Sequence, residues 1–384
     1  MHSEQRERER HKNSISRASS SSFASLLALA HTKLVSRASM HSQSQSELDE
    51  ELFEAAALGL VIEIQSLLDR RADINAVFNG SVKPLHLASI EGHHQCIELL
   101  LDRHADIHAL NADNETPLHL ASSNGHYQCV ELLLDRHADI HALNGDNETP
   151  LHLASWEGHH QCIELLLDRH ADVHALNNEG RTALHFSSWE GHHQCIELLL
   201  DRHADIHALN GDNDTPLHYA SADSHHQCIE LLLDRHADVN ALNDNKRSPL
   251  YYSSLEGDHQ CIELLLDRHA EPNAPDVNCH TPLHRASSNG HHQCIELLID
   301  HGADKYLTDV RHCVPSLSLS LSLSLSLVRS CNLNILPASH SNVSLFVLIS
   351  QSLNHQEHGK TPEQVAKTPE IARLIRDRGA CHSR

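Results

Sequence analysis

Histidine and cysteine, two side chains that bind zinc in proteins, recur together along this chain. A histidine stands two residues before a cysteine at His94/Cys96, His160/Cys162, His193/Cys195, His226/Cys228 and His292/Cys294. Each cysteine lies among Ile and Leu residues and should face inward, whereas the histidine before it should point elsewhere. Equivalent ligands in successive copies of the pattern would also lie too far apart to share one tetrahedral ion. We therefore predict no specific metal site and no cofactor.

The cysteines follow a fixed spacing that argues against disulfides. Seven of the eleven occur once every 33 residues, at Cys96, Cys129, Cys162, Cys195, Cys228, Cys261 and Cys294. If each lies on a packed helix, its neighbours are about 8–10 Å away, beyond the roughly 7 Å Cα separation that a disulfide spans. Small buried thiols in a reducing compartment are the better interpretation. We expect the cytoplasm, with the nucleus as the other option.

The elements that carry these residues repeat with the same period. The motif Thr116–Ala121, Thr-Pro-Leu-His-Leu-Ala, returns at Thr149–Ala154, with variants beginning at Thr182, Thr215, Ser248 and Thr281. Thr116 is a typical helix N-cap, and Pro117 suits the first helical position. Gly125 predicts a turn before a second helix that is apolar on most sides, so both neighbouring repeats must cover it. A polar connector then leads to the next copy.

These motifs resemble the ankyrin repeat family, whose units read Thr-Pro-Leu-His-x-Ala, Gly-His, a Leu-rich helix and Gly-Ala-Asp. The resemblance implies an all-α solenoid of helix-turn-helix units with β-hairpin-like fingers and a concave face lined by fingers and first helices. It also implies structural roles for Thr116, Pro117, His119, Gly125, His152, Gly158, His185, Gly191 and His218. It carries no catalytic residues, so we predict that the chain is not an enzyme.

One departure from the family pattern is systematic. The glycine that ends the second helix is replaced by His104, His137, His170, His203, His236 and His269. If the left-handed backbone is retained, each replacement costs on the order of 1 kcal/mol, although histidine tolerates this conformation better than branched residues.

The repeats predict four segments. Residues 1–46 are a Ser- and Arg-rich stretch that we interpret as a disordered tail, with a transit peptide as the alternative. Residues 47–309 hold eight units including an N-terminal cap, and 357–384 form a C-terminal capping unit. Between them lies a segment of 47 residues, 310–356, that is rich in alternating Ser and Leu. Thr281 and Thr361 are 80 residues apart, so removal of this segment restores the regular spacing of 33 residues. We interpret that insertion as a translated intron, either retained by splicing or included by a faulty gene model.

The positions at which near-identical repeats differ are the candidates for partner binding. One such position follows Ala-Ser in the first helix, and in the ankyrin family it faces the concave groove; Ile90, Trp156, Trp189 and Leu255 occupy it here. Tryptophan is enriched among interface hot spots, although packing of both rings on a neighbouring loop is the alternative. The fingers add an acidic rim interrupted by a cation, at Asp113, Glu115, Asp146, Glu148, Arg181, Asp212 and Asp214.

Composition narrows the class of partner. The formal net charge is −23 with histidine neutral, which would repel nucleic acid, and no apolar stretch reaches the ~20 residues of a membrane helix. We predict a scaffold or adaptor that binds another protein through a basic or mixed apolar–basic segment. The alternative is a pH- or metal-responsive binding protein that uses the 39 histidines, with partner affinity or self-association changing between about pH 5.5 and 7.5. The regulatory arm of an enzyme whose catalytic domain lies elsewhere is a third hypothesis.

Overall fold

The computed structural model describes residues 44–78 and 81–307, together with 362, 367–369, 372 and 373. The predictions for the N-terminal stretch up to residue 43, for the insertion at 310–356 and for most of the C-terminal unit at 357–384 lie outside the described residues. The described tail residues differ from expectation, because a helix already begins at Gln45. Ser44 caps it through a capping box with Glu47, which satisfies two backbone donors at the helix start.

Sixteen helices are present in the described part of the chain, arranged as eight consecutive pairs. The first helices of the pairs are α1 Gln45–Ala57, α3 Pro84–Ile90, α5 Pro117–Ser123, α7 Pro150–Glu157, α9 Ala183–Glu190, α11 Pro216–Ala222, α13 Pro249–Glu256 and α15 Pro282–Asn289. The second helices are α2 Val61–Asp69, α4 His94–Asp102, α6 Tyr127–Asp135, α8 His160–Asp168, α10 His193–Asp201, α12 His226–Asp234, α14 His259–Asp267 and α16 His292–Asp300. The all-α repeat architecture is thus confirmed. None of these helices is long and apolar enough to cross a membrane.

The pairs belong to two units that divide after Gly211. In the first unit, α3, α5, α7 and α9 pack in series, as do α4, α6, α8 and α10. In the second unit, α13 packs between α11 and α15, and α14 packs between α12 and α16. The core of each pair is built by the apolar residues that the repeat conserves, for example Cys129, Val130 and Leu133, all of which are fully buried. No single pair could cover both sides of its second helix, so the neighbours supply the burial.

The fingers between pairs are β-hairpin-like tight turns. In the finger at Asn111, the Asn111 N–H donates to Glu115 O at 3.1 Å, and the Asn111 side-chain oxygen accepts from the N–H groups of Asp113 and Glu115. The side chain therefore takes hydrogen bonds that a strand partner would otherwise make. Among the described residues there is a single isolated bridge, between Phe78 and Val82, and no strand. The β-hairpin-like fingers are thus closed by turn hydrogen bonds, without a strand among the described residues.

The second helices end in left-handed backbone. His104, His137, His170, His203, His236 and His269 have φ between 67° and 70°. The conformation that the family builds with glycine is therefore retained with histidine, as the sequence suggested. Gly302, at the same position after the last described helix, has φ 91°.

Candidate binding surface

A threonine–histidine pair begins most of the first helices, and in several repeats its histidine bonds the finger of the following repeat. Pro117 occupies the first turn of α5, and the Thr116 hydroxyl lies 2.9 Å from His119 Nδ1, which also accepts the Thr116 N–H at 3.2 Å. His119 Nε2 faces the Glu148 carbonyl of the following finger at 3.0 Å. A carbonyl can only accept, so Nε2 carries the proton and Nδ1 is the acceptor. His152 repeats the arrangement, with its Nε2 on Ala175 O (3.0 Å) and Arg181 O (3.2 Å).

Burial keeps these histidines neutral. Desolvation lowers the pKa of His86, His119, His152 and His218 from 6.5 to about 4, even though the hydrogen bonds to backbone carbonyls act in the opposite direction. His185 makes the same Nδ1 contact with Thr182, at 2.9 Å. Tyr251 replaces the histidine in one repeat and donates its hydroxyl to the buried Asp276 carboxylate at 3.0 Å. The first-helix histidines are structural clamps.

A second set of histidines was missed by the sequence reasoning. Five histidines in the loop between the two helices of a pair pack over the loop glycine of the preceding repeat, namely His93, His126, His159, His192 and His291. Gly125 has φ +72°, and a Cβ there would lie 2.5 Å from His159 Nδ1; Gly158 has φ +79° and the same relation to His192. His159 Nε2 donates to Ser123 O at 3.0 Å. The glycine at 191 is also left-handed, with φ +80°. The recurring Gly-His dipeptide was the available signal.

The cysteines occupy positions unsuited to metal binding. All seven at the 33-residue spacing are free thiols buried in the second helices. Burial raises the pKa of six of these thiols, to about 12 for Cys129, Cys195 and Cys261 and to about 11 for Cys96, Cys162 and Cys294. His160, two residues before Cys162, is exposed while the thiol is buried. No group of three or more metal-binding side chains occurs within the described residues. Cys279, which is outside the series, is disulfide-bonded, so the expectation of free thiols fails at that position.

The tryptophans are neighbours but are not exposed. The rings of Trp156 and Trp189 have centroids 5.2 Å apart in an edge-to-face arrangement, with Phe186 against Trp156 at the same distance. Each tryptophan is only 4% exposed, and the Arg181 guanidinium lies 4.6 Å above the Trp189 ring. The expectation that both rings line an open groove is wrong for the free chain. They form a buried aromatic layer with Phe186, and Arg181 of the adjacent finger lies over the Trp189 ring.

The remaining candidate residues divide by exposure. Asp113, Asp146 and Asp212 are exposed at the finger tips, and Glu115, Asp214 and Leu255 are half-buried. Three others lie inside, namely Ile90 (8% exposed), Glu148 (1%) and Arg181 (7%), so their placement on an open face or rim has to be corrected. Burial raises the pKa of Glu115 to about 7, with Asp113 and Glu148 adding to the rise and the Asn111 amide opposing it. Glu148 and Arg181 directly precede the N-caps Thr149 and Thr182 of α7 and α9, whereas Ile90 is the last residue of α3.

An exposed apolar row runs along the fingers of the first unit. It consists of one residue per repeat at the 33-residue spacing, and the five side chains are about half exposed: Val77 56%, Leu110 49%, Leu143 50%, Leu176 55% and Leu209 52%. We call these five residues the leucine row. In the second unit Leu242 holds the same finger position and is 50% exposed. An apolar residue at a fixed position in a polar loop was the sequence signal, and it was overlooked because the position does not vary between repeats.

Comparison with known families supports the repeat assignment. A family model described as ankyrin repeats (3 copies) matches residues 52–144, 136–210 and 202–276, and a second, described as ankyrin repeats (many copies), matches 256–299. No curated protein is significantly similar to the chain. Ankyrin repeats are in general non-enzymatic modules for protein–protein interaction. The family matches span more than half of the chain and coincide with the helix pairs, and the chain therefore belongs to the ankyrin repeat family.

Proposed function

We propose that the chain is a scaffold or adaptor that binds a protein partner on the face formed by its fingers and first helices. The observation that carries this proposal is the leucine row, in which a half-exposed apolar side chain recurs on each finger of the first unit. Exposed apolar surface that is grouped on one face marks interaction sites on soluble proteins. Burying one half-exposed leucine in an interface is worth roughly 1 kcal/mol. A row of such contacts is sufficient for a specific complex when its backbone is already ordered.

The charged finger tips give the proposed surface its selectivity. Asp113 and Asp146 are exposed a few residues beyond Leu110 and Leu143, so a partner that reaches both features needs apolar groups flanked by Lys or Arg. Asp212, Asp214 and Leu255 provide the corresponding contacts in the second unit. Five buried residues support this face from beneath and set the position of the fingers, namely Ile90, Glu148, Trp156, Arg181 and Trp189. The proposed partner is a protein with a mixed apolar–basic segment, met in the cytoplasm or nucleus, rather than nucleic acid or a membrane.

The histidine-dependent alternative gains no support from the clamps. With pKa values near 4, His86, His119, His152 and His218 stay neutral over the pH range in which that hypothesis places its response. The burial of the seven thiols, which raises the pKa of Cys129 to about 12, does not favour a metal-dependent response either.

The test compares three forms of the full chain in affinity capture with quantitative mass spectrometry. Leu143→Ser/Leu176→Ser removes the centre of the leucine row, and Ile62→Ser is the matched control, since Ile62 is 81% exposed on a second helix. A partner recovered by the wild type and by Ile62→Ser should be depleted about tenfold or more with the double variant. Equal recovery of every specifically bound protein by all three forms would refute the proposed surface. Circular dichroism establishes that each variant is folded.

A further inference from the structure

The leucine row is presented on backbone that is held at several points. The carbonyl of Ala109, next to Leu110, accepts from His86 Nε2 at 3.0 Å, and the carbonyl of Ala175, next to Leu176, accepts from His152 Nε2 at 3.0 Å. Successive finger tips are also joined, since Gly145 N donates to Asp113 O, and Gly211 N to Glu179 O, each at 2.8 Å. The row is therefore ordered before any partner arrives, and little conformational entropy is lost when it is covered.

The spacing of the row selects the form of the occupant. Packed helices of successive repeats lie about 8–10 Å apart, so the leucines recur at about this interval. Seven residues of an α-helix advance about 10.5 Å and return to nearly the same face. Residues three apart in a β-strand span about 10 Å but point to opposite faces. A polyproline helix matches the interval with every third residue, at about 9.3 Å, but it offers one thin line of side chains with nothing to fill the gaps between leucines.

We propose that the leucine row binds an amphipathic α-helix of the partner, laid along the first unit with one apolar residue per heptad on each leucine. This inference rests on the proposed function and specifies the partner's form. Apolar residues at the intervening helical positions, three or four residues on, fill the spaces between Leu110, Leu143 and Leu176. Lys and Arg on one flank of the helix face the carboxylates of Asp113 and Asp146.

Charge distinguishes this occupant from a second copy of the chain. A second copy would carry its own net charge of −23 against the same row, and its acidic finger tips would approach those of the first copy. Like charges brought together in this way oppose association. A basic amphipathic helix gains from the same field, so its affinity should fall as salt is raised.

The experiment uses three labelled synthetic peptides and fluorescence anisotropy with the full chain. The first is an Ala-rich peptide of about 22 residues with leucine at every seventh position, apolar residues between them and Lys on one flank. The second peptide has the same composition, but its leucines stand at every second position. The third is a proline-rich peptide with a leucine at every third position. The chain is tested as wild type, as Leu143→Ser/Leu176→Ser and as Ile62→Ser.

We expect the heptad peptide to bind the wild type and Ile62→Ser at least tenfold more tightly than either other peptide. Leu143→Ser/Leu176→Ser should weaken that binding roughly thirtyfold. The inference is overturned if the heptad peptide shows no preference, if the proline-rich peptide binds best, or if the folded double variant binds as well as wild type. If captured partners depend on Leu143 and Leu176 while no heptad peptide binds, the helical form is wrong and the proposed function stands. If neither depends on these leucines, both fail.

Discussion

Acid should unfold this protein well before its carboxylates are neutralised, because its repeats are clamped by neutral histidines. The pKa values of His86, His119, His152 and His218 are about 4 in the folded chain, against 6.5 when unfolded. Between these values the unfolded chain binds protons that the folded chain does not, so stability falls as pH drops from about 6.5 towards 4. From about pH 7.5 upwards the histidines are almost entirely neutral in both states, and their full contribution to stability is present.

The size of the effect follows from the same values. At pH 5 each clamp histidine costs about 2 kcal/mol, and the four together cost about 8 kcal/mol. Glu115 acts in the opposite direction, because its pKa is raised from 4.5 to about 7 in the folded chain, which returns about 2.5 kcal/mol at pH 5. The net loss of roughly 5 kcal/mol is comparable with the whole stability of many domains. Unfolding should therefore take up about three protons at this pH.

Urea unfolding followed by far-UV circular dichroism, repeated from pH 7.5 to 4.5, measures this loss and the proton uptake. His119→Gln removes one titrating clamp, so its uptake on unfolding at pH 5 should fall by about one proton, whatever the substitution costs at neutral pH. His141→Gln is the matched control, since His141 is exposed in the next finger. A stability that is constant between pH 7.5 and 5, or an uptake that His119→Gln leaves unchanged, would refute the reasoning.

Three further predictions concern stability in urea at pH 7.5. His137→Gly should stabilise the chain by roughly 0.5 kcal/mol, because relief of the left-handed strain at φ 68° exceeds the added flexibility of glycine, whereas His141→Gly should not stabilise. Gly158→Ala should lower the free energy of unfolding by roughly 2–3 kcal/mol, because the added Cβ would lie 2.5 Å from His192. Gly302→Ala should lower it only by the ~1 kcal/mol of backbone strain, because nothing lies within 4 Å of that Cβ. Ser155→Ala should stabilise by roughly 0.5–1 kcal/mol, because the Ser155 hydroxyl is buried without a hydrogen-bond partner; Ser89→Ala, which loses a 2.8 Å bond to Leu85 O, should not. The opposite ranking within any of these pairs would contradict the corresponding argument.

The sequence alone was sufficient for the repeat and for its local structure. Thr116 and Pro117 encode a helix start through the capping oxygen and the fixed φ of proline, and both act within one turn of the chain. The inward direction of Cys129 followed from its place in a helix that is apolar on most sides. The sequence left open whether the left-handed backbone is retained at His137, and the structure shows that it is, with φ 68°.

Which side chains are open to a partner was decided by the tertiary structure. The positions of Trp156 and Glu148 vary between repeats as those of binding residues do, yet both side chains are buried. Trp156 packs against Phe186 and Trp189 of the next repeat, and Glu148 accepts from Asn177 of the next finger. The sequence did not distinguish His159 from the surface histidines, but in the structure its ring packs over Gly125 of the preceding loop. Leu143 stands at a position that hardly varies between repeats and so was not a candidate binding residue, yet its side chain is half exposed. The pattern of apolar residues along the chain determines where the helices form. The exposure of a side chain in a repeat protein depends on how the next repeat packs against it, and the sequence of one repeat alone does not show that contact.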